Sequence, residues 1–316
     1  MRGMLRRASY TLSDDHENFN LRGEMRYQEP MEKHTSWRVG GPADNFYIPA
    51  DIEDLKTFLR TRKGKEKCVW IGLGSNLLIR DGGIRGSVIS VTGVLNDLSE
   101  QESGALRIGA GVTCAKAARF AARSGCRGAE FLAGIPGTFG GALAMNAGAF
   151  GGETWSITGH AETINQQGEI RKRTKDELRV GYRSVQMPEN EWFIAGELNL
   201  EKGDPESVNK TIRELLAKRS KSQPMGELSC GSVFRNPDGD HAGRLIDACG
   251  LKGFSIGKAR ISEKHGNFIV NEGGAKASDI EDLIEHMQRI VFESFGIRLE
   301  LEVRIIGENI RNNKQT

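Results

Sequence analysis

A chain of 316 residues is long enough for two or three domains and a sizeable core. Its 44 Lys and Arg against 42 Asp and Glu leave a net +2 with no basic run that could cover a face, so composition excludes an electrostatic nucleic-acid or membrane partner and points to small molecules. The 40 glycines, almost twice the usual share of ~7%, come in clusters without a period of three, which excludes collagen and puts the weight on backbone loops.

Along the chain, Arg2, Arg6 and Arg7 precede no apolar stretch, so the start is not a signal peptide, and residues 1–20 are expected to be a flexible extension. Asp51 then caps an amphipathic helix carrying Ile52, Leu55, Phe58 and Leu59. A strand at Cys68 to Ile71 runs into Gly72-Leu73-Gly74-Ser75-Asn76, and a second strand resumes at Leu77 to Ile79. Val88 to Val91 and Leu106 to Ile108 read as strands, and Thr113 caps an alanine-rich helix that stops at Gly125.

The uncharged stretch from Phe131 to Phe150 is interrupted by Gly134, Pro136, Gly137, Gly140, Gly141 and Asn146. That composition rules out a membrane-spanning helix and, for the stretch as a whole, a packing element. His160 to Ile164, Gly168 to Arg173 and Trp192 to Leu198 predict a mixed or antiparallel sheet. Asp204-Pro205 starts a helix whose Val208, Ile212, Leu215 and Leu216 face inward, and a third region is expected to begin there. A capping box from Ser278 to Glu281 predicts a helix through Ile280, Leu283, Ile284, Met287 and Val291, stopped by Gly296. In the last strand Leu299, Leu301, Val303 and Ile305 share one face, and Glu300, Glu302 and Arg304 the other.

Cys68, Cys114, Cys126, Cys230 and Cys249 form no C-x-x-C pair. They argue against a disulfide framework or a zinc site and for a reducing cytoplasm. The first glycine loop lies between two strands and has Leu77 where a Rossmann fingerprint needs its third glycine, and no Gly-Lys-Ser/Thr phosphate loop occurs. Either glycine loop alone reads as a turn. Two of them after apolar β-like segments suit backbone N–H groups brought against the pyrophosphate of a dinucleotide.

Read locally, Arg183 is a surface arginine, Ser232 a loop hydroxyl and Glu302 a solvated strand-face carboxylate. Cys230 lacks a helix start or paired histidine to lower its pKa and reads as a small loop residue. His265 lacks a spaced partner for a metal and reads as a substrate contact.

Six ordered motifs carry a resemblance over about residues 30 to 308: His34-Thr-Ser-Trp-Arg38-Val-Gly40-Gly41-Pro42-Ala43; Gly72-Leu-Gly74-Ser75-Asn76-Leu77-Leu78; Gly134-Ile-Pro136-Gly137-Thr138-Phe-Gly140-Gly141 through Met145-Asn146-Ala147-Gly148; Tyr182-Arg183-Ser184; Gly231-Ser232-Val-Phe234-Arg-Asn236-Pro237; and Glu302-Val303-Arg304-Ile305-Ile306-Gly307. In these the chain resembles the flavin-dependent UDP-N-acetylenolpyruvoylglucosamine reductases of bacterial cell-wall synthesis.

The resemblance implies an α+β fold: a two-part FAD-binding domain of the vanillyl-alcohol-oxidase/PCMH type, residues 21–88 and 89–204, followed by a C-terminal α+β substrate domain, residues 205–316. It implies two cofactors, FAD and NADPH, and a small-molecule sugar-nucleotide substrate, without a protein partner, nucleic acid or membrane. NADPH reduces FAD, which passes hydride to the vinyl carbon of the enolpyruvyl ether; Arg183 meets the charge developing on the neighbouring carboxylate, Glu302 partners it, and Ser232 supplies the proton.

By the same resemblance the flavin contacts are Arg38, Gly40, Gly41, Gly72, Gly74, Ser75, Asn76, Gly134, Ile135, Gly137, Thr138 and Ala147, and the substrate contacts are Asn236, His265 and Asn271. The chain departs from the family at Gly266, where an alanine is expected. It also lacks a tyrosine-bearing lid between Tyr182 and Trp192, which places it in the subclass without that lid. Two other readings differ from this one: another flavin oxidoreductase of the same fold acting on a hydroxy acid or sugar, and a non-catalytic sugar-nucleotide sensor. The first leaves Ser232 and Glu302 unexplained, and the second predicts loss of one of the three catalytic residues.

Overall fold

The computed structural model describes residues 20–62 and 67–310, so the expected extension before residue 20 lies outside the described residues. β1 (Glu24–Pro30) pairs antiparallel with β2 (Pro42–Ile48), and α1 (Ile52–Thr61) follows. The Asp51 carboxylate accepts the Asp54 N–H at 2.9 Å, so the helix starts where its cap predicts, and it buries Leu55, Phe58 and Leu59. β3 (Cys68–Ile71), β4 (Leu77–Ile79) and β5 (Ile84–Ser90) come next. β3 and β2 flank β5 as parallel neighbours, giving the order β1-β2-β5-β3, while β4 leaves this sheet.

The second unit is built on an antiparallel sheet of order β12-β11-β15-β7-β6, using β6 (Leu98–Glu100), β7 (Leu106–Gly109), β11 (Thr158–Asn165), β12 (Ile170–Thr174) and β15 (Glu191–Leu198). Between β7 and β11 run α2 (Cys114–Arg123), β8 (Cys126–Arg127), α3 (Phe139–Met145) and the short pair β9 (Gly148–Ala149) and β10 (Gly152–Glu153). The uncharged stretch is therefore not all loop. Thr138 caps α3, and Phe139, Ala142 and Leu143 enter the core, because the glycines fall at the cap and first turn rather than along the buried face.

β13 (Arg179–Gly181) and β14 (Ser184–Gln186) form a hairpin, and only residues 187–190 separate it from β15. β16 (Glu201–Lys202) pairs with β8 and leads into α4 (Pro205–Ser222). Asp204 caps α4 as expected, but Val208 and Ile212 pack into the second unit's core beside α2. The third unit thus begins after α4 rather than at residue 205, because the buried face of α4 is satisfied by the second unit.

The third unit holds α5 (Ala242–Ala248), an antiparallel sheet of β17 (Ser255–Ile256), β18 (Ala259–Ile261) and β19 (Ile269–Asn271), and α6 (Ala277–Phe295). β20 (Arg304–Ile306) returns to the first unit and pairs parallel with β4. Ser278 is not the cap of α6. The N–H groups of Ala277 and Ser278 donate to Asp81 at 2.9 and 3.0 Å, and Glu281 pairs with Arg80 at 2.6 Å. A carboxylate from the first unit satisfies two of the free N–H groups of this helix, a tertiary cap invisible to local sequence, while Asp279 accepts the N–H of the cap residue Lys276 at 3.0 Å. Trp37, wholly buried, extends the third unit's core into the first and donates its indole N–H to Ile269 O at 2.7 Å.

Candidate active site

The glycines of the first loop are required by close approach. A Cβ on Gly72 would lie 2.4 Å from Thr138 Oγ1, and Gly74 has φ +60° with its missing Cβ position 2.0 Å from His34 O. The two glycine-rich loops therefore touch. Around their contact lie three cavities of about 290, 140 and 390 Å³. The first two share Ser75, Asn76, Ile135 and Ala147 in their walls, and the last two share Gly72, Thr138 and Gly141, so the three adjoin in a row as a channel along the two glycine loops.

Arg183, Ser232 and Glu302, far apart in sequence, all line the 290 Å³ cavity. Arg183 occupies the two-residue turn of the β13–β14 hairpin with φ +51°, a left-handed conformation that costs a non-glycine residue about 1 kcal/mol. The turn aims its guanidinium inward. Nε donates to Glu302 Oε1 at 3.1 Å and Nη2 to Gly148 O at 2.9 Å, while Arg235 Nη2 grips the Arg183 carbonyl at 3.2 Å.

Glu302 is held through its backbone. Its N–H donates to Val233 O at 2.8 Å, and its carbonyl accepts from Asn76 Nδ2 at 3.0 Å. That puts the Ser232 loop beside the segment leading into β20, which is extended strand only over Arg304–Ile306 and not from Leu299 as the alternation predicts, and ties both to the first glycine loop. Burial pushes the Glu302 carboxyl above the usual carboxylate range, against the opposing pull of Arg183.

Of the residues expected to contact flavin, Gly72, Gly74, Ser75, Asn76, Gly134, Ile135, Gly137, Thr138 and Ala147 line the channel. Arg38, Gly40 and Gly41 do not. Arg38 is exposed with Nη1 on Lys33 O at 2.8 Å, and Gly40 and Gly41 back onto Ile79 and Asp81, so this segment buttresses β4 and the first loop from behind.

Asn236 lines the 290 Å³ cavity, whereas His265 and Asn271 stand off it. The His265 ring packs on Gly243, and its Nδ1 accepts from Asn267 N–H at 3.2 Å. Asn271 is buried with Nδ2 on Trp37 O at 2.7 Å and Oδ1 taking the Gly273 and Ala275 N–H groups, so its polar atoms serve as a bracket between units. Cys230 lines the cavity wall, but burial pushes its thiol up to about 12, the opposite of an activated nucleophile.

Local reading missed four residues. Arg219 reaches the 290 Å³ cavity from α4 with its Nε on Gln223 Oε1 at 2.8 Å; burial lowers its pKa, and among the described residues no carboxylate forms a salt bridge with it. Arg304 is the one charged residue lining the 140 Å³ cavity. Asn146, at φ +47°, donates to Glu153 and to Gly181 O, 3.0 and 3.1 Å away, and accepts the Trp155 N–H, so it fastens the second glycine loop to the Arg183 hairpin. Trp70 walls both the 140 and 390 Å³ cavities. Charge, spacing or hydrophobicity alone marks none of them; only the bringing together of units does.

The chain is 53% identical over 286 residues to the UDP-N-acetylenolpyruvoylglucosamine reductase of Alkalilimnicola ehrlichii, covering 90% of this chain and 96% of that one. It is 54% identical over 287 residues to the reductase of that name from Methylococcus capsulatus, covering 91% and 94%. The chain belongs to the UDP-N-acetylenolpyruvoylglucosamine reductase family. Residues 223–306 match the C-terminal domain of UDP-N-acetylenolpyruvoylglucosamine reductase, and residues 43–173 match the FAD binding domain.

The crystal structure of UDP-N-acetylenolpyruvylglucosamine reductase from Thermus caldophilus superposes with a TM-score of 0.77 at 34% identity, covering 90% of this chain and 98% of that one. As a reductase of this family the chain is an FAD-dependent oxidoreductase that also uses NADPH, with a two-part FAD-binding region and a C-terminal α+β domain. The residues present fit FAD: the wall of the 140 Å³ cavity holds Gly72, Gly74, Gly137 and Gly141, no carboxylate, and the cation Arg304, a lining suited to a pyrophosphate. Among the described residues no helix is long and apolar enough to cross a membrane, and no His, Cys, Asp and Glu cluster could hold a metal ion.

Proposed function

We propose a division of labour among the cavity residues for the reaction of this family, the FAD-mediated and NADPH-dependent reduction of UDP-N-acetylglucosamine enolpyruvate to UDP-N-acetylmuramate. The observation that carries it is the meeting of Arg183, Ser232 and Glu302 at one cavity wall beside the two glycine loops. Gly72, Gly74, Ser75, Asn76, Gly134, Ile135, Gly137, Thr138 and Ala147 hold FAD, mainly through backbone, and bound FAD supplies the hydride.

Hydride arriving at the vinyl carbon sends negative charge toward the adjacent carboxylate. Arg183 is already oriented for that charge by Glu302 and Gly148 O, so no reorganisation is needed when it develops. Glu302, its carboxyl raised by burial, orients Arg183 or shares a proton at that carboxylate. Ser232 delivers the proton to the other carbon. A serine hydroxyl does this only toward a strongly basic centre in a water-poor pocket, and Ser232 lines the cavity where bound flavin and substrate would exclude water.

Arg219 takes an anionic group of the sugar nucleotide, supported by its lack of a carboxylate partner among the described residues, and Asn236 contacts the same ligand. The proposed ligands are small molecules only, and the compartment is the cytoplasm, in keeping with five cysteines that are all free.

The test separates the two half-reactions by anaerobic stopped flow. Ser232→Ala is expected to leave flavin reduction by NADPH within about threefold of the parent and to slow flavin reoxidation by the enolpyruvyl sugar nucleotide by 100-fold or more, the range of a lost general acid. Equal loss in both halves would overturn the role of Ser232.

A further inference from the structure

Arg235 lines none of the three cavities, although its neighbours Phe234 and Asn236 both line the 290 Å³ one. Its side chain instead reaches the β13–β14 hairpin of the second unit, where Nη2 donates to Arg183 O at 3.2 Å. Its backbone belongs to the third unit: the Arg235 N–H donates to Glu300 O at 2.8 Å, next to the bridge between Phe234 and Leu301. Nη1 stands 3.7 Å from the Glu300 carboxylate. A residue three positions after Ser232, anchored on the segment that carries Glu302, therefore holds the main chain of Arg183.

The hairpin needs such a hold. Its strands have three residues each, too few to be stable by themselves, and Arg183 at φ +51° lies in the left-handed region that an arginine disfavours. Asn146 Nδ2 on Gly181 O at 3.1 Å ties the hairpin two residues before Arg183, and Arg235 ties it at Arg183 itself. Arg235 Nε is buried with no hydrogen-bond partner among the described residues. A guanidinium kept with one buried N–H unpaired is not placed for its own hydrogen bonds, so its place calls for a purpose beyond them.

We infer that Arg235 is a positioning residue for reduction of the enolpyruvyl ether. Gripping the Arg183 carbonyl from the segment that carries Ser232, it sets the distance between the cation that meets the developing charge and the hydroxyl that supplies the proton. This rests on the roles given to Arg183 and Ser232.

The test uses the holoenzyme in anaerobic stopped flow, with NADPH for flavin reduction and the enolpyruvyl sugar nucleotide for flavin reoxidation. Arg235→Gln is expected to slow reoxidation about 10- to 100-fold, the range for a reacting group displaced by about 1 Å, with flavin reduction within about twofold of the parent and the bound-flavin absorption spectrum unchanged. An effect exerted through Arg183 disappears once Arg183 is gone. Arg183→Gln combined with Arg235→Gln is therefore expected to reoxidise within about twofold of Arg183→Gln alone. A smaller loss in Arg235→Gln, equal loss in both half-reactions, or additive losses in the double variant overturns the inference.

Should Arg235→Gln not fold, Arg235→Lys decides. Its ammonium keeps the charge without the planar fork, so reoxidation is expected to slow about threefold or more, and a smaller loss overturns the inference. Arg183→Gln separates the two failures. If that variant alone reoxidises at the parent rate, the role of Arg183 falls and this one with it; if it slows about 100-fold or more while Arg235→Gln does not slow, only the role of Arg235 falls.

Discussion

Arg219 and Arg183 show how neighbours give one residue type two roles. Arg183 has Glu302 3.1 Å away, whereas Arg219 is half-buried without a carboxylate partner among the described residues. A cation desolvated in this way is stabilised by an incoming anion, and a charge-assisted hydrogen bond of about 1.5–3 kcal/mol corresponds to roughly 10- to 100-fold in affinity. Arg219→Gln is therefore expected to raise KM for the sugar nucleotide by that factor while flavin content stays unchanged. Steady-state kinetics with a flavin absorbance spectrum checks this, and an unaltered KM would remove Arg219 from the site. Sequence reading gave α4 a buried face without singling out Arg219, because nothing within the helix reveals that Arg219 lines the same cavity as Ser232.

At the scale of elements, the second sheet contains an ion pair whose carboxylate, Glu191, also lines the 390 Å³ cavity. Glu191 is buried, takes Arg173 Nε and Nη2 at 2.8 and 2.9 Å, and accepts from Thr163. Arg173 holds the Glu191 carboxyl below its ordinary 4.5. The stability this contributes is fully present above 4.5 and lost as pH falls through the lowered value. Glu191→Gln is expected to cost about 3 kcal/mol near pH 7, the low end for breaking a buried pair. The gap from the parent should narrow in acid below 4.5, which urea unfolding across pH measures; a gap independent of pH would refute the linkage.

Elements were legible where their signals were local. The Asp51, Thr113 and Asp204 caps act as their sequence neighbours predict. The cap of α6 was not legible, since Asp81 lies almost two hundred residues before the helix it serves. Nor was the place of α4, because an amphipathic pattern states that a face is buried without stating against what.

For the molecule as a whole, the channel lies between units that are joined by β4–β20 pairing, by Trp37 and by Asn271. A ligand spanning it links their unfolding. At 100-fold excess over its dissociation constant FAD adds ~2.7 kcal/mol to the folded state, so removing it is expected to lower the melting midpoint by about 4 °C. Calorimetry of loaded and stripped protein checks this, and coincident midpoints would mean that FAD does not bridge the units.

The sequence by itself determined the fold class, most element starts, the two glycine loops and the family, because these depend on local propensity, periodicity and ordered motifs. It also named Arg183, Ser232 and Glu302, though only by resemblance: read locally, each was an ordinary surface residue. Tertiary structure alone decided that these three share a cavity with Arg219, that Trp70 and Arg304 line the cavities next to it, that Asn146 ties the second glycine loop to the Arg183 hairpin, and that Arg38, Gly40, Gly41, His265 and Asn271 lie off the cavity walls. The physical reason is that burial and partnership are properties of distance in space. Side chains more than a hundred positions apart acquire them only when separate units close on one another.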